Sequence, residues 1–207
     1  MEAFTTLTAV AAPFYHPDVD TDELIPHRFL RKPLSAGYGN FLFHDKRFLA
    51  DGSENPEFVL NKPAYRFARV LVSGRNFGCG STREGAVYAL HDYGIRAVIA
   101  PSFSEIFTGN CVQNGVLPIT LADDTVRSLC TQLERRPGAN VTIDLAQQTL
   151  TLPDASLCSF EIAPTTKIQL LEGLDEIGLT LKHREEIAGF EKRYRAHLPW
   201  LAGTGSA

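Results

Sequence analysis

Asn76–Glu84, with the sequence NFGCGSTRE, is the stretch from which the fold of this chain can be worked out. The apolar run Val70–Val72 before it predicts a buried strand, and apolar residues at helical spacing after it predict a helix over residues 82–93. A glycine-rich turn that opens a helix directs unpaired backbone N–H groups and the positive end of the helix dipole at one place. Because such a place binds anions, the stretch predicts a carboxylate or phosphate site.

Three side chains at the end of this stretch supply the polar groups of the predicted site. Ser81 and Thr82 bring hydroxyls, and Arg83 brings a permanent cation that can hold a carboxylate through two hydrogen bonds. The simpler alternative is a tight turn in which Ser81 caps the helix and Glu84 completes a capping box. Two nucleotide sites are excluded, because the G-x-G at 78–80 lacks the third glycine of a dinucleotide site and no Gly-Lys-Ser/Thr of a phosphate loop follows.

The rest of the chain predicts an α/β fold. Strands are predicted at residues 68–73, 96–100, 116–121, 141–145 and 148–152. Helices are predicted at residues 82–93, 103–113, 123–134, 165–172 and 183–197. Strands that alternate with helices from residue 68 to residue 134 indicate a βαβ core with right-handed crossovers. The two-residue alternation across 141–152 adds an antiparallel hairpin to that core.

The remaining segments set the limits of these elements. Residues 13–62, rich in Pro, Gly, Asp and Phe, are expected to be irregular, and residues 153–158 are expected to form a polar loop. Asp123 and Asp124 are candidate caps of the helix over 123–134, which Pro137-Gly138 should end. We expect residues 1–207 to form a single domain with a frayed tail after about residue 200.

Composition and charge exclude several classes of function. The net charge of −4 argues against a nucleic-acid partner, since phosphate binding needs a basic face. The apolar stretches are far shorter than the ~20 residues of a membrane helix, and residues 1–12 lack the basic leader of a signal peptide. The four cysteines contain no C-x-x-C pair, which argues against a metal or cluster in this chain and for free thiols in the cytoplasm.

Three further motifs have open interpretations. Asp18–Asp22 begins like a calcium loop, but Glu23 replaces the glycine at its sixth position, so these acids are interpreted as turn residues. The small-residue loop Leu34–Asn40 is either a surface connection or a mobile lid over a substrate. Cys79 could be a nucleophile with a lowered pKa, with His44 or His91 approaching it in space.

Several separate blocks in the same order resemble one known family. The blocks are Asp18–Pro26, Asn76–Glu84, Ala100–Phe107 with Asn110, Asn114–Pro118 and Gly173–Leu181. They look like the small subunits of isopropylmalate dehydratase, which are the separate swivelling-domain chains of the aconitase superfamily. The resemblance covers about residues 5 to 195. It implies a swivelling β/β/α domain that docks on a large subunit as a heterodimer or heterotetramer. The [4Fe–4S] cluster is expected in that large subunit, and no cofactor is expected in this chain.

The resemblance also implies roles for individual residues. Ser81 would be the catalytic base that takes a proton from the carbon next to a carboxylate of a small dicarboxylate, and Thr82 and Arg83 would hold that carboxylate. The turn amides of Cys79 and Gly80 would stabilise the serine oxyanion. Ser35, Gly37 and Tyr38 would belong to the lid or specificity loop. A serine is a very poor base, so its anion needs preorganised donors and a closed interface, and the site should be incomplete in the isolated chain.

Two departures from the family pattern keep alternative functions open. Family members usually continue the motif with Glu-His-Ala-Pro-Trp, whereas this chain has Gly85, Val87 and Tyr88 at the second, fourth and fifth of those positions. Close bacterial relatives have Arg-Thr-Gly in the lid, where this chain has Ser35-Ala36-Gly37. We expect a hydro-lyase subunit that acts on isopropylmalate. The alternatives are a paralogue for another alkylmalate or alkylmaleate, a non-catalytic binding homologue, and a thiol enzyme that uses Cys79.

Overall fold

The computed structural model describes residues 1–198 and residue 200. Contacts divide the chain into two compact units, Met1–Gly173 and Leu174–Ala207. The first unit contains a seven-stranded sheet with its flanking helices, and the described part of the second contains two helices. The single domain over residues 1–207 stays a prediction, and the frayed tail expected after residue 200 lies outside the described residues.

The sheet joins a parallel half to an antiparallel half in the strand order β4-β3-β2-β1-β5-β6-β7. The strands are β1 (Thr6–Phe14), β2 (Val70–Ser73), β3 (Ala97–Ala100), β4 (Leu117–Thr120), β5 (Asn140–Asp144), β6 (Thr149–Thr151) and β7 (Leu157–Ser159). The pairs β1–β2, β2–β3 and β3–β4 are parallel, and the pairs β1–β5, β5–β6 and β6–β7 are antiparallel. The expected α/β class, with a βαβ core and antiparallel additions, is confirmed.

Eight α-helices are present in the described residues. They are α1 (Thr21–Leu24), α2 (His44–Arg47), α3 (Gly85–Tyr93), α4 (Glu105–Gln113), α5 (Asp123–Arg135), α6 (Pro164–Glu172), α7 (Glu176–Leu181) and α8 (Arg184–His197). Short 3₁₀ helices lie at His27–Phe29, Leu34–Ala36, Tyr38–Phe41 and Val59–Asn61. None of the helices in the described part of the chain is long and apolar enough to cross a membrane.

The core consists of two hydrophobic clusters, to which successive residues of β2 contribute alternately. Leu71 lies in a cluster with Leu90 of α3. Its neighbours Val70 and Val72 lie in the second cluster with Leu129 of α5. Successive strand residues point to opposite faces, so helices on both faces bury all four residues of β2. This double burial explains why an unbroken apolar run, rather than an alternating one, predicted the strand.

The structure differs from the expected secondary structure in four places. Thr6–Phe14 forms the central strand β1, and Leu157–Ser159 forms the edge strand β7, although part of it was expected in a polar loop. Helix α3 begins only at Gly85 and not at residue 82. No side chain caps α5, because Asp123 instead accepts hydrogen bonds from the hydroxyl of Tyr15 and the guanidinium of Arg127.

The expectation of irregular structure over residues 13–62 is only partly correct, because this segment contains the end of β1, the short helices α1 and α2 and four 3₁₀ helices. A buried arginine holds part of the segment in place. Arg47 donates to the carbonyl oxygens of Gly39 at 3.1 Å and Leu42 at 3.3 Å, and to Asn61 Oδ1 at 3.4 Å. Its guanidinium also lies over the ring of Tyr93 in α3, 4.9 Å from the ring centre. The Gly39 N–H also donates to Asp92 Oδ2 of α3 at 2.7 Å, so the segment packs against α3 through polar contacts as well as through its aromatic side chains.

Candidate functional site

The turn Asn76–Arg83 follows β2 at the carboxyl end of the parallel strands. Asn76, Gly78 and Gly80 all have positive φ angles, of 58°, 74° and 96°. Gly78 is also pressed against the ring of Phe107, where a Cβ atom would overlap the ring carbons. Only glycine satisfies both conditions without strain. The Gly-x-Gly spacing thus serves a sharply folded turn.

The segment Asp18–Asp22 supports one side of this turn. Val19 O accepts from the Gly78 N–H at 2.8 Å, and the Thr21 N–H donates to Cys79 O at 2.9 Å. Thr21 Oγ1, on a side chain only 4 % exposed, accepts from the Ser81 N–H at 3.0 Å. The expectation that the acids at 18–22 are turn residues is wrong for two of them, because Asp20 caps α1 by accepting from the Glu23 N–H at 2.7 Å and Asp22 lies in the first turn of that helix. Their segment fixes the backbone of Ser81. No group of His, Cys, Asp or Glu in the described residues could hold a metal ion.

The segment around the start of α4 supports the other side. The Phe77 N–H donates to Ser102 O at 3.0 Å, and the Ser104 N–H donates to Phe77 O at 3.1 Å. Farther along the turn, Asn110 Nδ2 donates to Thr82 O at 3.2 Å. Two parts of the chain, residues 18–22 and residues 102–110, therefore hold the turn, and neither of them is adjacent to it in sequence.

Ser81 and Arg83 meet directly. Arg83 Nε donates to Ser81 Oγ at 2.7 Å, and the Arg83 backbone N–H approaches the same oxygen at 3.4 Å. Ser81 is half-buried, whereas Thr82 and Arg83 are exposed. A hydroxyl oxygen that accepts from a guanidinium is placed so that its anion would be stabilised. The pair thus combines a proton acceptor with a fixed cation.

Asp22 adds a carboxylate to this pair, a contribution that no local sequence pattern indicates. Its Oδ1 lies 3.6 Å from Arg83 Nη2. Both side chains are largely exposed, so the ion pair is weak and can be exchanged for another carboxylate. The one sign of this carboxylate in the sequence is the acid-rich run at 18–22, which by itself indicates only a turn.

One part of the predicted site geometry is wrong. The turn does not open α3 at Ser81, because Ser81–Glu84 are not helical and the helix begins at Gly85. The capping box is also absent, since the Glu84 carboxylate accepts from the hydroxyl of Tyr88. The first turn of a helix is where the dipole acts, so Arg83, rather than the dipole of α3, is the positive group at Ser81.

The contacts of Cys79 oppose the thiol hypothesis. Burial raises the pKa of the Cys79 thiol, and the nearby carboxylates of Asp20 and Asp18 raise it further. His44 instead contacts Arg28 and Asp45. An activated nucleophile needs the opposite shift. Cys79 is half-buried, Gly80 is exposed, and the proposed role of their amides stays a prediction.

The predicted lid has an anchored part and an exposed part. Tyr38 is 5 % exposed, and its hydroxyl donates to the carbonyl oxygens of Lys32 at 2.9 Å and Leu30 at 3.3 Å. Ser35 is exposed, and Gly37 has a φ of 76°. A Cβ atom at Gly85 would lie 2.5 Å from Leu30 Cδ2, so glycine there allows this segment to pack on the first turn of α3.

Comparison with known proteins gives the family. The profile of the aconitase C-terminal domain matches residues 1–124, and the profile of the C-terminal domain of 3-isopropylmalate dehydratase small subunits matches residues 176–204. The 3-isopropylmalate dehydratase small subunit of Paramagnetospirillum magneticum is 53 % identical over 201 residues, which cover 97 % of this chain and 100 % of the relative. This chain belongs to the family of 3-isopropylmalate dehydratase small subunits. The small subunit of Neisseria meningitidis serogroup B is 47 % identical over 210 residues, covering 97 % of this chain and 99 % of the relative.

A solved member of the 3-isopropylmalate dehydratase family shares the fold. The crystal structure of 3-isopropylmalate dehydratase from Methanocaldococcus jannaschii matches with a TM-score of 0.63 at 29 % identity. The match covers 90 % of this chain and 99 % of that chain. The relatives are named as small subunits, which implies a larger partner chain in their enzymes.

Proposed function

We propose that this chain is the small subunit of a hydro-lyase that interconverts 2-isopropylmalate and 3-isopropylmalate in leucine biosynthesis. The observation that carries the proposal is the 2.7 Å hydrogen bond from Arg83 Nε to Ser81 Oγ. It places the oxygen that accepts the proton beside a guanidinium that can stabilise the serine anion before the proton is taken and can also hold a carboxylate. The names of the full-length relatives support the choice of substrate.

Ser81 is the proposed base. Its Oγ takes a proton from the carbon next to a carboxylate, the C–H electron pair forms a carbon–carbon double bond, and hydroxide leaves the neighbouring carbon. Re-addition of water with the hydroxyl on the other carbon completes the isomerisation. The pKa of a free serine hydroxyl lies far above 7, so its anion must be stabilised, and the Arg83 guanidinium is the group positioned to do so.

Arg83 and Asp22 are proposed to form the carboxylate-binding part of the site. The Nε atom of Arg83 is used by Ser81, which leaves its terminal nitrogens for a substrate carboxylate. Asp22, 3.6 Å from Nη2, would hold the guanidinium in place until that carboxylate replaces it. Thr82, with an exposed hydroxyl, would contribute a further hydrogen bond, and the amides of Cys79 and Gly80 would face the serine oxyanion.

A large subunit is the proposed partner, as a heterodimer or heterotetramer. The described residues of this chain do not fit a [4Fe–4S] cluster, because they hold no group of three suitable ligands, and we place the cluster in the large subunit. Closure of that subunit over the exposed Arg83 would exclude water and strengthen its bond to Ser81. The four cysteines are free thiols, which supports a place in the cytoplasm.

Reconstitution with an iron–sulfur large subunit tests the proposal. Turnover is followed by the absorbance of the unsaturated acid intermediate, and Ser81→Ala should reduce kcat by about 10²- to 10⁴-fold, the usual contribution of a positioned base. Ser156→Ala is the matched control, because Ser156 is an exposed loop serine whose hydroxyl bonds to Asp154. Undiminished turnover of an assembled Ser81→Ala enzyme would overturn the assignment of the base.

A further inference from the structure

Tyr88 makes a contact next to the site that the proposed function does not use. It lies four residues after Glu84 in the first turns of α3, and its hydroxyl donates to Glu84 Oε2. This hydrogen bond raises the pKa of Tyr88 to about 12, so the hydroxyl stays protonated and remains a donor at neutral pH. Both side chains are half-buried, and the Tyr88 ring packs edge-on against Tyr38. The donor is therefore fixed in position.

The carboxylate that Tyr88 holds belongs to the residue directly after Arg83. Arg83 already faces one carboxylate, that of Asp22. Among the ion pairs of the described residues, Arg83 pairs with Asp22 and not with Glu84. A second internal carboxylate on the guanidinium would compete directly with the substrate.

We propose that Tyr88 is a positioning residue that holds the Glu84 carboxylate away from Arg83 and so keeps the guanidinium available for the substrate carboxylate. The inference rests on the proposed function of Arg83. Removal of the Tyr88 hydroxyl leaves the half-buried Glu84 carboxylate without its donor. The guanidinium of Arg83, the preceding residue in the sequence, then becomes its alternative partner. Competition from one solvent-exposed ion pair should raise KM by about two- to sixfold and leave kcat unchanged.

Kinetics of the reconstituted enzyme test the inference with a double substitution. Tyr88→Phe should raise KM, and the double variant Tyr88→Phe/Glu84→Gln should restore it, because the neutral amide cannot form an ion pair with Arg83. Tyr93→Phe is the matched control, since it removes a hydroxyl from the same helix that donates to the carbonyl oxygens of Leu60 and Arg66. An unchanged KM in Tyr88→Phe, or a raised KM that Glu84→Gln does not restore, would overturn the inference.

A second readout separates this inference from the proposed function. The modification of Arg83 by phenylglyoxal, measured by mass spectrometry on the full chain, reports the availability of the guanidinium without any turnover. The rate should fall by about two- to sixfold in Tyr88→Phe and recover in the double variant. Equal rates in all variants would contradict the role of Tyr88. Loss of turnover in every reconstituted enzyme, with the expected pattern of modification, would instead contradict the proposed function alone.

Discussion

Replacement of Arg83 by lysine separates the charge of this residue from its geometry. In the structure, Arg83 Nε lies 2.7 Å from Ser81 Oγ, and its Nη2 lies 3.6 Å from Asp22 Oδ1. Lysine keeps the positive charge, but its ammonium is a single point on a flexible stem and cannot hold Ser81 and a substrate carboxylate together. A hydrogen bond to a charged group contributes about 1.5–3 kcal/mol, which corresponds to a decrease of about 10- to 150-fold in kcat.

Steady-state kinetics with the large subunit measure this effect. Arg83→Lys should lower kcat strongly and raise KM, because both the serine anion and the carboxylate lose donors. Arg127→Lys is the control, since Arg127 forms an exposed ion pair with Asp123 at 2.7 Å and should tolerate the exchange. A raised KM with an unchanged kcat would refute the reasoning, because Arg83 would then only bind substrate and another group would stabilise the Ser81 anion.

Two predictions concern stability. Gly78→Ala should destabilise the chain by about 2–4 kcal/mol in thermal or denaturant unfolding, because it combines a positive φ with overlap on Phe107. Gly52 also has a positive φ but has open space around it, so Gly52→Ala should cost only the free energy of the strained backbone. The guanidinium of Arg28 lowers the pKa of Asp45 to about 2 from 3.8, so the stabilising effect of Asp45 is present above pH 4 and is lost as pH falls towards 2. Because the pair is exposed, Asp45→Asn should cost at most about 1 kcal/mol at pH 7 and clearly less at pH 2, where about half of the Asp45 carboxyl groups are protonated. An equal cost at both pH values would contradict this.

Strands β2 and β3 could be predicted because they are buried on both faces. Val70–Ser73 and Ala97–Ala100 are short, mostly apolar runs with every residue buried, and such runs between helices are typical of parallel strands covered on both faces. Strand β1 could not be predicted in the same way. Its sequence is rich in alanine and contains Pro13, so local preference for a strand is weak, and pairing with β2 and β5 defines it.

The site was predictable where its residues are neighbours in sequence. Ser81 and Arg83 are two positions apart, and the glycines before them indicate a tight turn. The contribution of Thr21 and Asp22 depends on hydrogen bonds and an ion pair across about sixty positions of chain, which local patterns do not reveal. The same tertiary contacts explain the late start of α3, since Thr21 Oγ1 binds the Ser81 N–H and Asn110 binds the Thr82 carbonyl.

Deuterium exchange tests the role of Ser81 most directly. The reconstituted enzyme is incubated with 2-isopropylmalate in D₂O over many turnovers, and proton NMR follows the signal of the C–H group next to a carboxylate in substrate and product. The wild-type enzyme should replace this hydrogen by deuterium, whereas an assembled Ser81→Ala enzyme should leave it in place. Exchange at the wild-type rate without the Ser81 oxygen would contradict the account.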